Sequence, residues 1–296
     1  KNQPPARLIV AGFFLIILTG ACFLMLPVSL RPGVHTSFLD ALFTATSATC
    51  VTGLVVRDTW TQFTVFGQAV ILVLIQVGGL GLVTLTSFFA LAMRRRMGFR
   101  DLRVLGESVS ADGYAQAKDV LRIVVGLAAC FEGAGILLLM LAFVPQFGLQ
   151  GIWISIFTAI SAFCNAGFDL FGQFGAYSSL VPYVHNYYVQ AVVMFMIIAG
   201  GLGFMVWVEL IQYPKKRKLS LHARVVLIFS VLLWVGGAAL IGLLEWNNPG
   251  SMGNLSAGDK IMASLFQSVS TRTAGMNTID LAACGPITKL LMSVLQ

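Results

Sequence analysis

Three short stretches of this sequence combine small side chains, hydroxyls and a glycine in a pattern suited to holding a bare cation. They are Val51-Thr52-Gly53, Asn165-Ala166-Gly167 and Thr273-Ala274-Gly275. Glycine permits positive φ and close approach of main chains. Rings of backbone carbonyls that replace an ion's hydration shell are the known means of passing K⁺. Two charges stand apart in apolar sequence, Glu132 and Arg272, and a charge at membrane depth is a functional candidate by default. Glu132 is open to three readings, a buried hydrogen-bonded acid, a site coupled to ion movement or an acid at a helix interface. Arg272 facing an ion path would repel cations, so a scaffold role is expected, through a salt bridge or hydrogen bond that holds its loop. Asn165 either braces its turn or simply tolerates a left-handed backbone, and bracing is favoured.

Each stretch ends a segment with its own internal repeat. Phe43, Phe157 and Phe266 are each followed four residues later by a serine, Ser47, Ser161 and Ser270, and then by Gly53, Gly167 and Gly275. The glycines recur about every 110 residues, too long a period for a solenoid unit. Pro27, Pro145 and Pro249 precede the three copies and are expected to close apolar helices. The first two copies are followed by Gly78-Gly79-Leu80-Gly81 and Gly200-Gly201-Leu202-Gly203, which read as close-packing positions. Each unit therefore reads as apolar helix, short helix, glycine turn, apolar helix. Long helices are expected near 8–27, 69–93, 119–144, 188–212 and 223–245, with a sixth starting near Ile287. Short ones are expected near 37–49, 151–164 and 258–271.

Composition fixes the setting. Of 296 residues, 57% are hydrophobic and 10% charged, against about 25% charged in a soluble domain. No Asp, Glu, Lys or Arg occurs from Leu8 to Leu30, Thr59 to Met93, Gly133 to Phe168, Leu170 to Val208 or Val225 to Leu244. Each run reaches the roughly 20 apolar residues of a spanning helix. The net charge is +7, and most basic residues fall at the N-terminus (Lys1, Arg7), in Arg94–Arg122 and in Lys215–Arg224. The positive-inside rule places these regions in the cytoplasm. Asp40, Asp58, Asp169, Glu245, Asp259 and Asp280 then lie outside, where they would draw cations in. Five cysteines form no paired motif and no metal spacing. HExxH and GxSxG are missing, so no enzyme chemistry is expected. No stacking aromatics accompany the basic runs, so nucleic acid is not an expected partner.

The expected fold class is thus an all-α membrane protein of repeated helix, re-entrant pore helix and helix modules. The first repeat covers 1–95, a cytoplasmic linker 96–118, the second repeat 119–213 and the third 214–296. A short helix ending inside the membrane directs about half a negative charge at the axis from its C-terminus. The filter is expected from Val51, Thr52, Gly53, Asn165, Ala166, Gly167, Thr273, Ala274 and Gly275, mainly through backbone carbonyls. A cation filter made of unlike segments is expected to discriminate incompletely against Na⁺. The rival reading is a structural subunit supporting a pore in another chain.

At Asp40-Ala41-Leu42-Phe43-Thr44-Ala45-Thr46-Ser47, Val51-Thr52-Gly53-Leu54, Asn165-Ala166-Gly167-Phe168 and Arg272-Thr273-Ala274-Gly275 the sequence resembles the Trk/Ktr/HKT superfamily of potassium transporters, and within it the KtrB-type membrane subunit. A Trk-type sister subunit is the alternative. The resemblance implies a pseudo-fourfold pore of four repeats, K⁺ as the transported ion, no organic cofactor and room for Na⁺ modulation. It also implies a homodimer in a multi-pass cell (inner or plasma) membrane and a cytosolic nucleotide-binding regulatory ring (KtrA-like). Two and a half repeats are present in these residues. The fourth filter segment and the third repeat's second helix, where the family has a gating loop, are lacking, so an incomplete chain is expected.

Overall fold

The computed structural model describes residues 5–95 and 109–296. The 96–118 linker expectation therefore falls largely outside the described residues, as does Lys1, while Val109 onward is already helical.

Local chemistry sets the boundaries of the short helices. Helix α1 spans Pro5–Leu24 and α2 spans Phe38–Thr49. Ser37 caps α2 by accepting the Asp40 N–H at 3.1 Å, which satisfies one of the free donors of a helix start. A capped turn, α3 (Thr59–Gln62), leads into α4 (Val65–Arg95). Helix α5 spans Val109–Phe147 and α6 spans Leu149–Phe163. Pro145 lies inside α5 and does not close it. Closure comes from Gly148, at φ 61°, whose N–H bonds the Val144 carbonyl at 2.8 Å. With ψ at −139° this backbone conformation is one that glycine adopts readily.

The expected helix near 188–212 is two helices. Helix α7 (Tyr187–Gly201) and α8 (Phe204–Lys216) meet at 100°. Leu202 and Gly203 form the break, with Gly203 at φ 84°. The Trp207 indole N–H donates to the Ala199 carbonyl at 2.8 Å, which occupies an acceptor near the interrupted ladder. The same Gly-Gly-Leu-Gly motif stays helical in α4. Helix α9 (Leu221–Glu245) follows, then α10 (Ala257–Ser270), capped by Ser256 on the Asp259 N–H at 3.3 Å, and α11 (Pro286–Leu295). Glu209 accepts both the Ser220 N–H and hydroxyl at 2.8 Å and so ties α8 to the start of α9.

Each short helix packs on the long helix before it: α2 on α1, α6 on α5 and α10 on α9. The second helix of each of the first two repeats then reaches the next repeat's short helix, α4 to α6 and α7 to α10. The repeats thus interlock in sequence order around a shared centre. The interior is apolar, with Phe157, Phe168, Phe171 and Phe266 fully buried. Leu137, Leu141, Leu232 and Leu243 are exposed on α5 and α9. Among the described residues, Arg122–Phe147 and Leu221–Glu245 are long and apolar enough to cross a bilayer, and the bent α7–α8 pair passes the same test together. Exposed leucines on such helices belong against lipid tails.

The glycine-rich stretches do more than pack loosely. A Cβ on Gly78 would lie 1.9 Å from the Thr49 carbonyl oxygen, and one on Gly200 would lie 1.7 Å from that of Phe163. Thr49 and Phe163 are the last residues of α2 and α6, so each spanning helix holds a short-helix C-terminus against its bare backbone.

Candidate functional site

Helices α2, α6 and α10 all end just before the stretches identified in the sequence. Their C-caps, Cys50, Cys164 and Thr271, close the last turn by donating to Thr46, Ile160 and Gln267. The chain then leaves helical geometry in the same way three times. Val51, Asn165 and Thr273 take φ of 56°, 55° and 93°, and Gly53, Gly167 and Gly275 take 74°, 72° and 76°. Left-handed residues thus alternate with one residue between them in all three copies. For β-branched Val51 and Thr273 this conformation costs about 1–3 kcal/mol each and persists only where the surroundings enforce it.

The repeated serine is what enforces it. The N–H groups of Thr52, Ala166 and Ala274 donate to the carbonyls of Ser47, Ser161 and Ser270 at 3.0, 2.8 and 2.9 Å. In the second and third copies the serine hydroxyl also donates forward, from Ser161 to the Phe168 carbonyl at 2.5 Å and from Ser270 to that of Met276. In the first copy the hydroxyl of Ser47 instead accepts from Thr52 at 3.0 Å. The serine spacing was visible in the sequence; its role as a clasp across the turn was not read from it.

The three turns converge. A Cβ on Gly53 would lie 2.9 Å from the Ala166 oxygen and 3.3 Å from the Gly167 Cα. A Cβ on Gly167 would lie 2.9 Å from the Ala274 oxygen, 3.2 Å from the Gly53 Cα and 3.4 Å from the Gly275 Cα. Each of these two glycines thus faces the carbonyl of the residue before the next glycine, in cyclic order. At Gly275 the neighbour within reach is the Gly167 Cα at 3.4 Å, and this side of the ring is open among the described residues. Ala166 and Ala274 are buried, whereas Thr52 is exposed. The arrangement offers a cation uncharged oxygens backed by the negative ends of three helices.

The other candidates sit around this centre. Asn165 is left-handed, and its Oδ1 is buried with no hydrogen-bond partner, so the expected bracing is not seen from that atom. Glu132, in α5, is 7% exposed and accepts the Gln76 amide at 2.9 Å on both oxygens. Gln76 was not singled out by the sequence. Arg272 makes no salt bridge among the described residues. Its guanidinium lies 5.9 Å from the Trp234 ring centroid, at a cavity of about 270 Å³ shared with Gly201, Leu202 and Thr273. An arginine over an indole face gains a cation–π attraction. That is a contact of a different kind from the expected salt bridge or hydrogen bond.

The acids expected on the outer side are more occupied than their sequence positions suggest. Asp58 accepts the Thr61 and Tyr177 N–H groups at 2.8 and 3.1 Å. Asp40 meets Arg57 at 3.3 Å. Glu245 is 1% exposed and accepts from Asn248, Ser251, Gly285 and Thr288. Asp259 accepts the Ser256 hydroxyl at 2.7 Å and faces His185 at 2.9 Å. The Ser256 bond leads the causes that hold its carboxyl down to about 2. Asp169, two residues beyond Gly167, behaves oppositely. Burial pushes its carboxyl up to about 6, against the opposing pull of the Phe171 N–H.

Short helices that point their C-termini at converging left-handed turns, each set between apolar helices, define a membrane protein of the pore-loop class. The chain belongs to the TrkH family, described as cation transport protein, whose profile matches residues 24–295. It is 39% identical over 281 residues to the potassium/sodium uptake protein NtpJ of Enterococcus hirae, covering 95% of this chain and 61% of that protein. It is also 39% identical to Ktr system potassium uptake protein B of Bacillus subtilis, over 93% of this chain and 61% of the relative. The crystal structure of the potassium transporter TrkH from Vibrio parahaemolyticus superposes with a TM-score of 0.70 at 18% identity, covering all of this chain and 56% of the other. The chain spans about three-fifths of the length of the curated relatives it matches.

Proposed function

We propose that this chain forms the larger part of a potassium uptake pathway, with K⁺ passing along carbonyls of Val51, Thr52, Gly53, Asn165, Ala166, Gly167, Thr273, Ala274 and Gly275. The observation that carries the reading is the convergence of the three turns, with Gly53 against the Ala166 oxygen, Gly167 against the Ala274 oxygen and Gly275 beside the Gly167 Cα. Neutral carbonyls at the ends of helix dipoles suit a monovalent alkali ion, which must shed water and still be released. The names of the relatives, potassium uptake for one and potassium/sodium uptake for the other, support the same ion with Na⁺ as its competitor. Movement is passive, down the electrochemical gradient.

The finer assignments follow from the same reading. The pore-loop repeats are 1–95, 119–213 and 214–296, joined by the 96–118 linker, and the basic regions and N-terminus face the cytoplasm. The membrane subunit pairs with a second copy. Its basic cytoplasmic face suits a separate nucleotide-binding ring, since the chain carries no GxGxxG fingerprint after a strand. The test is flux of K⁺ and of Na⁺ into liposomes holding the full-length protein at a set membrane potential. K⁺ flux exceeding Na⁺ flux is expected. Folded protein that passes neither ion overturns the proposal.

A further inference from the structure

The filter turn of the second repeat receives no bracing from the Asn165 Oδ1. Asn165 leads it in a left-handed conformation, and its Oδ1 is buried without a partner. Support comes from behind, through Cys164. The Cys164 thiol points at the Gln76 Oε1, 3.8 Å away, and a Cβ on Gly79 would fall 2.8 Å from the same sulfur. Residues 76–79 of α4 therefore touch the second short helix through Cys164 while Gly78 touches the first through Thr49. One helical turn spans two filter segments.

The orientation of the Gln76 amide is decided at its other end. Its Nε2 lies 2.9 Å from both oxygens of Glu132. Reversing the amide would set oxygen against carboxyl oxygen and an NH₂ against the thiol proton, so Glu132 selects the state in which Oε1 faces Cys164. The neighbouring Phe131 stacks on Phe163, the last residue of α6, at 6.1 Å and 23°. Phe131 thus packs on the end of this short helix directly, while Glu132 reaches it through Gln76. A buried acid is costly unless it is paired, and an apolar residue of similar size in its place would leave the amide unset.

We propose that Glu132 is a positioning residue for the second filter segment, fixing the Gln76 amide so that Gln76 holds Cys164 and with it the turn Asn165-Ala166-Gly167. The inference rests on the filter reading above. The test is the K⁺/Na⁺ flux ratio of the full-length protein in liposomes, for Glu132→Gln, Glu132→Leu, Cys164→Ala, Cys164→Ser and the double variant combining Glu132→Leu with Cys164→Ala, beside Gly167→Ala. Glu132→Gln, which keeps an acceptor for Gln76, retains the ratio within about twofold. Glu132→Leu and Cys164→Ala each lower it about threefold or more, and the double variant falls no further than either alone, because both act through one amide. An unchanged ratio in Glu132→Leu, or single effects that multiply, overturns the proposal. Should Glu132→Leu not assemble, the serine and alanine variants of Cys164 decide: serine keeps the donor and the ratio, and equal ratios for the two refute the role. An unchanged ratio in Gly167→Ala points instead to failure of the filter reading itself.

Discussion

Gly167→Ala is the sharpest perturbation the geometry offers, because Gly167 touches both of the other filter glycines. The new methyl carbon would sit 2.9 Å from the Ala274 oxygen, about half an ångström inside the 3.4 Å at which ordinary contact begins. It would also stand 3.2 and 3.4 Å from the Cα atoms of Gly53 and Gly275. At φ 72° an L side chain adds roughly 1–2 kcal/mol of its own. The ring can relieve this only by moving the second and third segments apart, which lengthens ion–oxygen distances on that side. If most of the strain falls on the K⁺-bound state, the K⁺/Na⁺ flux ratio drops about tenfold, equivalent to about 1.4 kcal/mol. The assay is paired K⁺ and Na⁺ flux into liposomes, with Gly126→Ala as control, since a Cβ there meets nothing within 4 Å. A Gly167→Ala protein with thermal stability and flux ratio equal to the control would refute the reasoning.

Other perturbations test neighbouring parts of the argument. Gly78→Ala and Gly200→Ala place a carbon 1.9 and 1.7 Å from carbonyl oxygens. Each should lower stability by about 3 kcal/mol or more, seen as a fall in the detergent melting temperature. Glu245→Ala leaves the donors of Asn248, Ser251, Gly285 and Thr288 unmet, and a loss of about 2–4 kcal/mol is expected in the same melting experiment. Asp169, raised from 3.8 to about 6 by burial, favours the folded state most when protonated. That contribution is full below pH 3.8 and is lost as pH rises through about 6. Its charge beside the filter is present above that range, so uptake should decline as external pH falls from about 7.5 to about 5.5, and Asp169→Asn should flatten the decline.

The short helices were legible almost to the residue. The stretches expected near 37–49, 151–164 and 258–271 appear as Phe38–Thr49, Leu149–Phe163 and Ala257–Ser270. Their ends are written locally, in the glycine turn and, for the first and third, in a capping serine with an acid three residues on. The bend at Leu202–Gly203 was not legible, because α4 carries the same four-residue motif and stays helical. What differs is tertiary: Trp207 reaches back to Ala199. Pro145 misled for a related reason, since a proline near a helix end can be carried for a last half turn before Gly148 stops the chain. Glu132 was conspicuous as a lone charge, yet its partner lies 56 residues away in a position that reads as one more polar residue of an apolar helix. Arg272 was equally visible, and its indole neighbour was hidden by the same kind of separation.

The three walls around the centre are spelled at separate places in one polypeptide, as Val-Thr-Gly, Asn-Ala-Gly and Thr-Ala-Gly. In a channel assembled from identical subunits, each change of a filter residue is imposed on every wall at once. Here a single codon alters one wall and spares the others, so preference among alkali ions can drift by small increments in the course of evolution instead of all or none.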